Sequence, residues 1–344
     1  LQNNISTLRS SFFEAQDVQM PNKWLNQKDI EIKKQKYKVS NWSDYNKSLK
    51  NRGDVEIWLS QHLINHWHYE ERIYDGTGSS KDYTDEAIIV CHELRQVYKL
   101  PLRQTEGFIN SLFRLMKAPI TCPDYTTLSK RLKQLNISCP RYTKSSKVEP
   151  DIAAIAIDST GLKRFGRDEW HVEKHRVNAR RSWRKAHFGI DANHIIQAAT
   201  LTDRFAHDDG VIDDLLGQIH DEVEHFSADG AYDETPVYDK LLAHSPVADI
   251  VIPPAKNAMF NPQANMMRNR NILEIAVYGR MAWQKERRYG QRNISELGIQ
   301  RYKRILGRAM HARKFERQKQ ELMIGCGILN KMTSLGMPES FKIA

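Results

Sequence analysis

No run approaching the ~18 consecutive apolar residues of a membrane span occurs in these 344 residues, although 40% of them are hydrophobic. That balance describes a soluble globular chain, long enough for two domains. A basic start followed by an apolar stretch and a small-residue cleavage site is also missing, so no secretory signal is read and a cytoplasmic protein is expected. Cysteine is scarce: Cys91, Cys122, Cys139 and Cys326 lie far apart with no Cys-x2-Cys pair. A zinc ribbon is thereby not expected, and in a reducing compartment these read as buried or incidental thiols rather than disulfides. No Gly-x4-Gly-Lys-Ser/Thr loop is present, which removes the usual nucleotide-hydrolysing engine and any nucleotide cofactor. His62, His66 and His68 have no second cluster at ligand spacing, and surface or helix-packing roles are expected for them. Internal repeats and low-complexity tracts are absent.

What is present in excess is positive charge. A formal net charge of +10 asks for a polyanionic partner, most simply nucleic acid, although ribosomal or anionic-membrane contact would give the same bulk figure. Basic amphipathic helices for a membrane surface are not evident.

Residues 1–30 are polar and poorly periodic, either a flexible tail or sequence upstream of a start such as Met20. From 31 to 148 the pattern is mostly helical. Ser60 suits the cap of a helix running to Trp67, and a Gly/Ser loop at 75–80 interrupts the pattern. Helices are predicted at about 84–98, 101–116 and 124–136. Their punctuation, with Pro101 in a first turn, Pro119 and Pro123 between helices and Asp124 or Thr126 as cap, resembles a helix-turn-helix neighbourhood. The third helix offers Thr126, Thr127, Lys130 and Arg131 to base edges and phosphates. Leu128, Leu132 and Leu135 would equally anchor it in a small bundle with no DNA role. The basic and polar stretch 142–150 reads as a linker.

The second half is strand-first. Residues 152–158, IAAIAID, read as a buried strand ending in Asp158, followed by Ser159, Thr160 and Gly161. A basic segment over 163–185 follows, with Lys163, Arg164, Arg180, Arg181 and Arg184 among its cations and Trp170 and Trp183 between them. Cations neutralise phosphates and indoles stack on unpaired bases; a solvated hairpin with two packing tryptophans is the plainer alternative. A hairpin is predicted over 187–203 with its turn at 191–194, helices at 208–220 and 235–243, and a further strand at 249–252. Asp229 repeats the Asp158 arrangement in HFSADG, with Gly230 permitting a tight turn. Lys256, Arg268 and Arg270 are candidate substrate contacts.

A helix predicted from about 284 to 307 carries Tyr289, Arg292, Glu296 and Lys303. At about 100° per residue, positions 289, 292, 296, 300 and 303 share one stripe. Alone, that stripe is explained by an exposed helix with an Arg292–Glu296 pair worth roughly 0.3–0.5 kcal/mol, and either aspartate alone by a helix cap. Together, three hard oxygen donors from separate elements suit Mg²⁺ or Mn²⁺.

These residues carry a resemblance. The ordered strings YKVSNWSDYNKSLKNRGDVEIWLS (37–60), LPLRQTEGFINSLFRLM (100–116), PDYTTLSKRLK (123–133), IAIDSTGLK and SADGAYD, with the Tyr-x2-Arg-x3-Glu-x6-Lys signature at full spacing, resemble bacterial insertion-sequence transposases of the DDE class, in particular insertion sequence family five. The resemblance implies an α/β, RNase H-like mixed five-stranded sheet with flanking helices over 149–335, preceded by a mostly helical DNA-binding domain over 31–148 and followed by a tail at 336–344. It further implies Asp158, Asp229 and Glu296 as a catalytic triad holding two Mg²⁺ or Mn²⁺ ions, with Tyr289, Arg292 and Lys303 on DNA. The implied partners are double-stranded DNA, as terminal inverted repeats and target, and a second copy in a homodimeric synaptic complex. A non-catalytic DNA-binding regulator would share the charge and the N-terminal helices but has little reason to keep all three acids. An RNase H-like nuclease acting on branched DNA would keep the acids without the element-specific first half.

Overall fold

An eleven-residue strand, β4 (Ala154–Arg164), organises the molecule. The computed structural model describes residues 37–74, 76, 81–139, 154–164, 183–206 and 209–343. β4 pairs antiparallel with β5 (Trp183–Asp191), which pairs antiparallel with β6 (Ile196–Asp203). On its other side β4 pairs parallel with β7 (His225–Ala228), and β7 with β8 (Asp249–Val251). The order is thus β6-β5-β4-β7-β8, and a two-residue strand, β9 (Ala309–Met310), pairs with the far end of β4 to make a mixed sheet of six strands. The expected hairpin is present. Its turn is held by Asp191, whose Oδ1 accepts from the amides of Asn193 and Ile195, while His194 takes a left-handed φ of 63°.

Alternation along β4 sends its residues to two different cores. Ile155 and Ile157 pack with Phe226 and Ala228, with Leu215 of a short helix, α7 (Ile212–Leu216), and with Val237 and Leu241 of α8 (Thr235–His244). Leu162, with Ala186 and Phe188 of β5, faces the other way. There it meets α11 (Asn293–Ile305) and α12 (Phe315–Ser334) through Tyr302, Leu322 and Ile328.

That second core also contains the N-terminal helices. α4 (Asp85–Val97), α5 (Leu102–Met116) and α6 (Tyr125–Arg131) contribute Ile88, Leu94, Ile109, Phe113 and Leu128. A boundary at 148/149 therefore does not separate two cores: residues Trp42–Met337 cluster as one unit. Three further helices precede these, α1 (Trp42–Asn51), α2 (Val55–Trp58) and α3 (Gln61–Asn65), with Ser60 capping α3 through its Oγ as expected. A small two-stranded sheet, β2 (His68–Ile73) with β3 (Lys81–Tyr83), flanks the predicted loop. The four cysteines are all buried: Cys91 and Cys122 sulfurs stand 3.9 Å apart, and Cys139 lies beside Cys326.

A separate unit holds β1 (Tyr37–Val39) paired antiparallel with β10 (Ser340–Lys342). Within the expected tail, residues 340–342 are extended as β10. The expected linker at 142–150, the tail at 1–30 and most of the basic segment, including Arg180 and Arg181, lie outside the described residues. Among the described residues, no helix is long and apolar enough to cross a membrane.

Two helices, α9 (Met266–Tyr278) and α10 (Arg280–Glu286), connect β8 to the signature region. α9 buries Asn269 and Asn271 and leaves Met266, Val277 and Tyr278 exposed. The inversion follows from its neighbour. β8 is an edge strand whose carbonyls need donors, and Asn271 Nδ2 donates to Ile250 O at 3.0 Å, with Arg270 Nη2 adding a bond of 3.3 Å.

Candidate active site

Asp158 does not end its strand. β4 continues for six residues beyond it, because β5 stays paired as far as Lys163↔Trp183 and Trp183 covers Gly161. What ends at Asp158 is the pairing on the other side: the last β4–β7 partners are Ile157 and Ala228, and β9 joins only at Lys163. Asp158 and Asp229 therefore take the next register position on adjacent parallel strands, where neighbouring chains lie about 4.8 Å apart. Between them and β9 the edge of β4 is open among the described residues.

Parity fixes the side. Asp158 shares the face of Leu162, opposite Ile155 and Ile157, and α11 packs on that face across β4 and β5. The close approach is made at Gly298, where any Cβ would collide with Ile190 Cδ1. Tyr302 lies against Phe188 with ring centroids 5.6 Å apart. Glu296, one turn from the helix start, is thereby brought to the same side as the two aspartates.

The signature is not one continuous helix. α10 stops at Glu286, Arg288 adopts a left-handed φ of 52°, and Tyr289–Arg292 form a 3-10 turn before α11 begins. The stripe nonetheless converges. Arg292 Nη1 stands 3.6 Å from Asp158 Oδ2, its Nη2 pairs with Glu296, and its guanidinium lies 5.7 Å from the Tyr289 ring centroid. Tyr289 rests in turn against buried Trp283. Lys303, half-buried two turns along α11, is close enough to feel Asp158.

Burial pushes the Asp158 carboxyl above the usual aspartate range, and the negative charges of Asp229 and Glu296 push it further, against the Ser159 amide and Arg292. Burial works against the Arg292 charge, but Tyr289, Glu296 and Asp158 more than offset it. Burial and Arg308 lower Lys303. Asp229 is half-buried and caps a 3-10 turn, its Oδ1 accepting from Ala231 N at 2.9 Å. Among the described residues no three acidic, His or Cys side chains are close enough to share one ion. The donor chemistry still suits a hard divalent cation: Asp158 feels the charges of Asp229 and Glu296, and the Arg292 guanidinium stands between Asp158 and Glu296, where positive charge is demanded.

Other expected contacts divide. Lys163 and Arg164 are exposed at the end of β4, Lys163 lying 5.8 Å from the Trp183 ring centroid. Arg184 donates from Nε to Gln318 Oε1 at 3.0 Å and covers the Phe315 ring. Asp124 caps α6 as expected, and the hydroxyls of Thr126 and Thr127 donate to its carboxylate, which drops to a pKa of about 2. Lys130 is exposed. Arg131, however, is only 6% exposed, pairs with Asp85 and donates to Tyr83 O, so its charge is internal. Arg268 and Arg270 are likewise committed to Asp233 and Asp249.

Models of the transposase DDE domain match residues 50–167 and residues 149–331. A solved piggyBac transposase synaptic complex with hairpin DNA is similar at 10% identity, covering 83% of this chain and 73% of that one. The TM-score is 0.37. The match over 149–331 spans more than half of the sequence and contains all three acids and the whole signature: the chain belongs to the transposase DDE domain family.

Proposed function

We propose that the protein is a DNA transposase of insertion sequence family five, bacterial and cytoplasmic, with an RNase H-like catalytic fold. It binds the terminal inverted repeats of its element, cleaves at the element ends and joins the freed 3′-hydroxyls to target DNA. The observation that carries this reading is that Asp158 and Asp229 follow paired residues on β4 and β7 while Arg292 links Asp158 to Glu296.

In this reading Asp158, Asp229 and Glu296 hold two Mg²⁺ or Mn²⁺ ions. When bound, the ions would activate the attacking oxygen and stabilise the leaving 3′-oxygen. Asp158, central and most buried, orients the pair. Arg292 and Lys303 neutralise the phosphate next to the scissile bond, and Tyr289 positions the terminal nucleotide. Lys163 and Arg164 extend the cationic track along β4, and Lys130 meets the backbone of the repeat DNA. Because two ends are joined, two copies act together.

The test is incubation with duplexes carrying the inverted repeats that flank the gene, in Mg²⁺ and in Ca²⁺. Cleavage at the repeat ends in Mg²⁺ only, abolished by Asp158→Asn, Asp229→Asn or Glu296→Gln with repeat binding retained, is expected. Retarded migration without cutting identifies a regulator, and cutting that follows junction shape identifies a structure-specific nuclease.

A further inference from the structure

Arg268 lies outside the signature, twenty-eight residues before Glu296, yet its contacts lead to Asp229. Its guanidinium grips Asp233 with both arms, Nε to Oδ1 at 3.0 Å and Nη2 to Oδ2 at 2.9 Å, and the Asp233 side chain is 4% exposed. Buried Tyr238 donates its hydroxyl to the same carboxylate at 3.2 Å. Three donors thus hold the Asp233 carboxylate within the fold.

Asp233 closes the turn that Asp229 opens. The amide of Asp233 donates to Gly230 O at 3.3 Å, and that of Tyr232 to Asp229 O at 3.1 Å. The Asp229 carboxylate reaches into the same turn through Ala231 N. Beneath it Gly230 presses on β8's exit: a Cβ there would come within 3.0 Å of Pro253 O. The turn is therefore pinned below by Pro253 and at its far end by the Arg268 fork, which leaves the Asp229 side chain little freedom of direction.

We propose that Arg268, acting through Asp233, is a positioning residue for Asp229 and sets how well the acid cluster binds a divalent cation. The inference rests on the reading of Asp229 as a metal ligand. A fork is needed because a bidentate guanidinium fixes orientation, whereas an ammonium supplies charge alone.

The experiment is calorimetric titration of Mn²⁺ into the full chain without DNA, with thermal unfolding measured in parallel. Arg268→Ala is expected to raise the dissociation constant about tenfold, the lower end of what outer partners of metal-binding carboxylates carry. Arg268→Lys should recover part of the loss, and Asp233→Asn should resemble Arg268→Ala. A role confined to stability would lower Tm and leave Mn²⁺ affinity unchanged, which overturns the proposal. Should Arg268→Ala fail to fold, Tyr238→Phe removes one bond to Asp233 and is expected to weaken Mn²⁺ by about threefold; no change there also overturns it. Asp229→Asn separates the two claims. If it loses Mn²⁺ and Arg268→Ala does not, only the positioning role fails; if it binds Mn²⁺ as the wild type does, the metal-ligand reading itself fails.

Discussion

Arg292 stands between Asp158 and Glu296, 3.6 Å from the first and paired with the second, so one guanidinium balances two acids. A divalent cation entering there must displace or repel it. Like charges a few ångströms apart cost on the order of 4 kcal/mol at an effective dielectric of 20, less where water screens them. Arg292→Ala should therefore tighten Mn²⁺ binding in the absence of DNA, by at least about threefold, while slowing cleavage. Calorimetry on the DNA-free variant checks the sign; weaker binding would show that Arg292 organises the acids rather than competing for them.

Asp158 carries a charge that its surroundings disfavour, since burial and then its acidic neighbours raise its pKa above the ordinary 3.8. The folded chain consequently binds that proton more tightly than the unfolded one, and the charged form costs stability above the raised pKa. As pH falls through the window between the raised value and 3.8, the cost disappears. Asp158→Asn should thus raise Tm without metal at neutral pH, with the gain shrinking in acid, and should abolish cleavage. A lower Tm at neutral pH would mean that the Arg292 contact outweighs burial.

His92 shows the opposite linkage. It is fully buried in α4, bonded through Nε2 to Leu128 O at 3.1 Å, and burial lowers its pKa from 6.5 to about 4. The unfolded chain takes up a proton that the folded one refuses. Stability from this group is complete above 6.5 and is lost as pH falls from there towards 4, by roughly 3 kcal/mol at most. His92→Gln keeps a donor for Leu128 and should flatten that part of the pH profile in urea unfolding.

Gly298 seats α11 on β5 against Ile190. Its missing Cβ would collide with the terminal methyl of Ile190, whereas the next atom of that side chain is 3.7 Å away. Gly298→Ala is expected to lift the helix, displace Glu296 and cut cleavage by about a hundredfold, the scale of a misplacement of roughly 1 Å. Adding Ile190→Val removes the obstructing methyl and should restore much of the rate. A double variant no better than Gly298→Ala would show that Gly298 acts otherwise, and the coupling can be read as a double-mutant cycle.

Local patterns made the strands leading to Asp158 and Asp229 legible, because short apolar runs reflect strand burial directly. The hairpin at 191–194 and the caps Ser60 and Asp124 were legible for the same reason. Ser159-Thr160-Gly161 looks like a turn, but β5 supplies a continuous partner and keeps it extended. The break before Tyr289 depends on the left-handed Arg288, a residue with no intrinsic preference for that conformation. Arg131 and Arg268 look like spare cations until they meet acids 46 and 35 positions away. β9, two residues long, and the shared core joining the N-terminal helices to the sheet arise only from tertiary packing.

The place of Asp158 within an unbroken strand has a mechanical corollary. Its main chain is laced to β5 before and after the carboxylate, so this acid cannot travel with a reaction coordinate. Glu296 is borne on a helix, its side chain 52% accessible and tied to the Arg292 guanidinium. In the proposed reaction, whatever accommodation is needed as one phosphodiester replaces another would fall to the helix-borne arm and the substrate, with the strand-borne arm as the fixed datum.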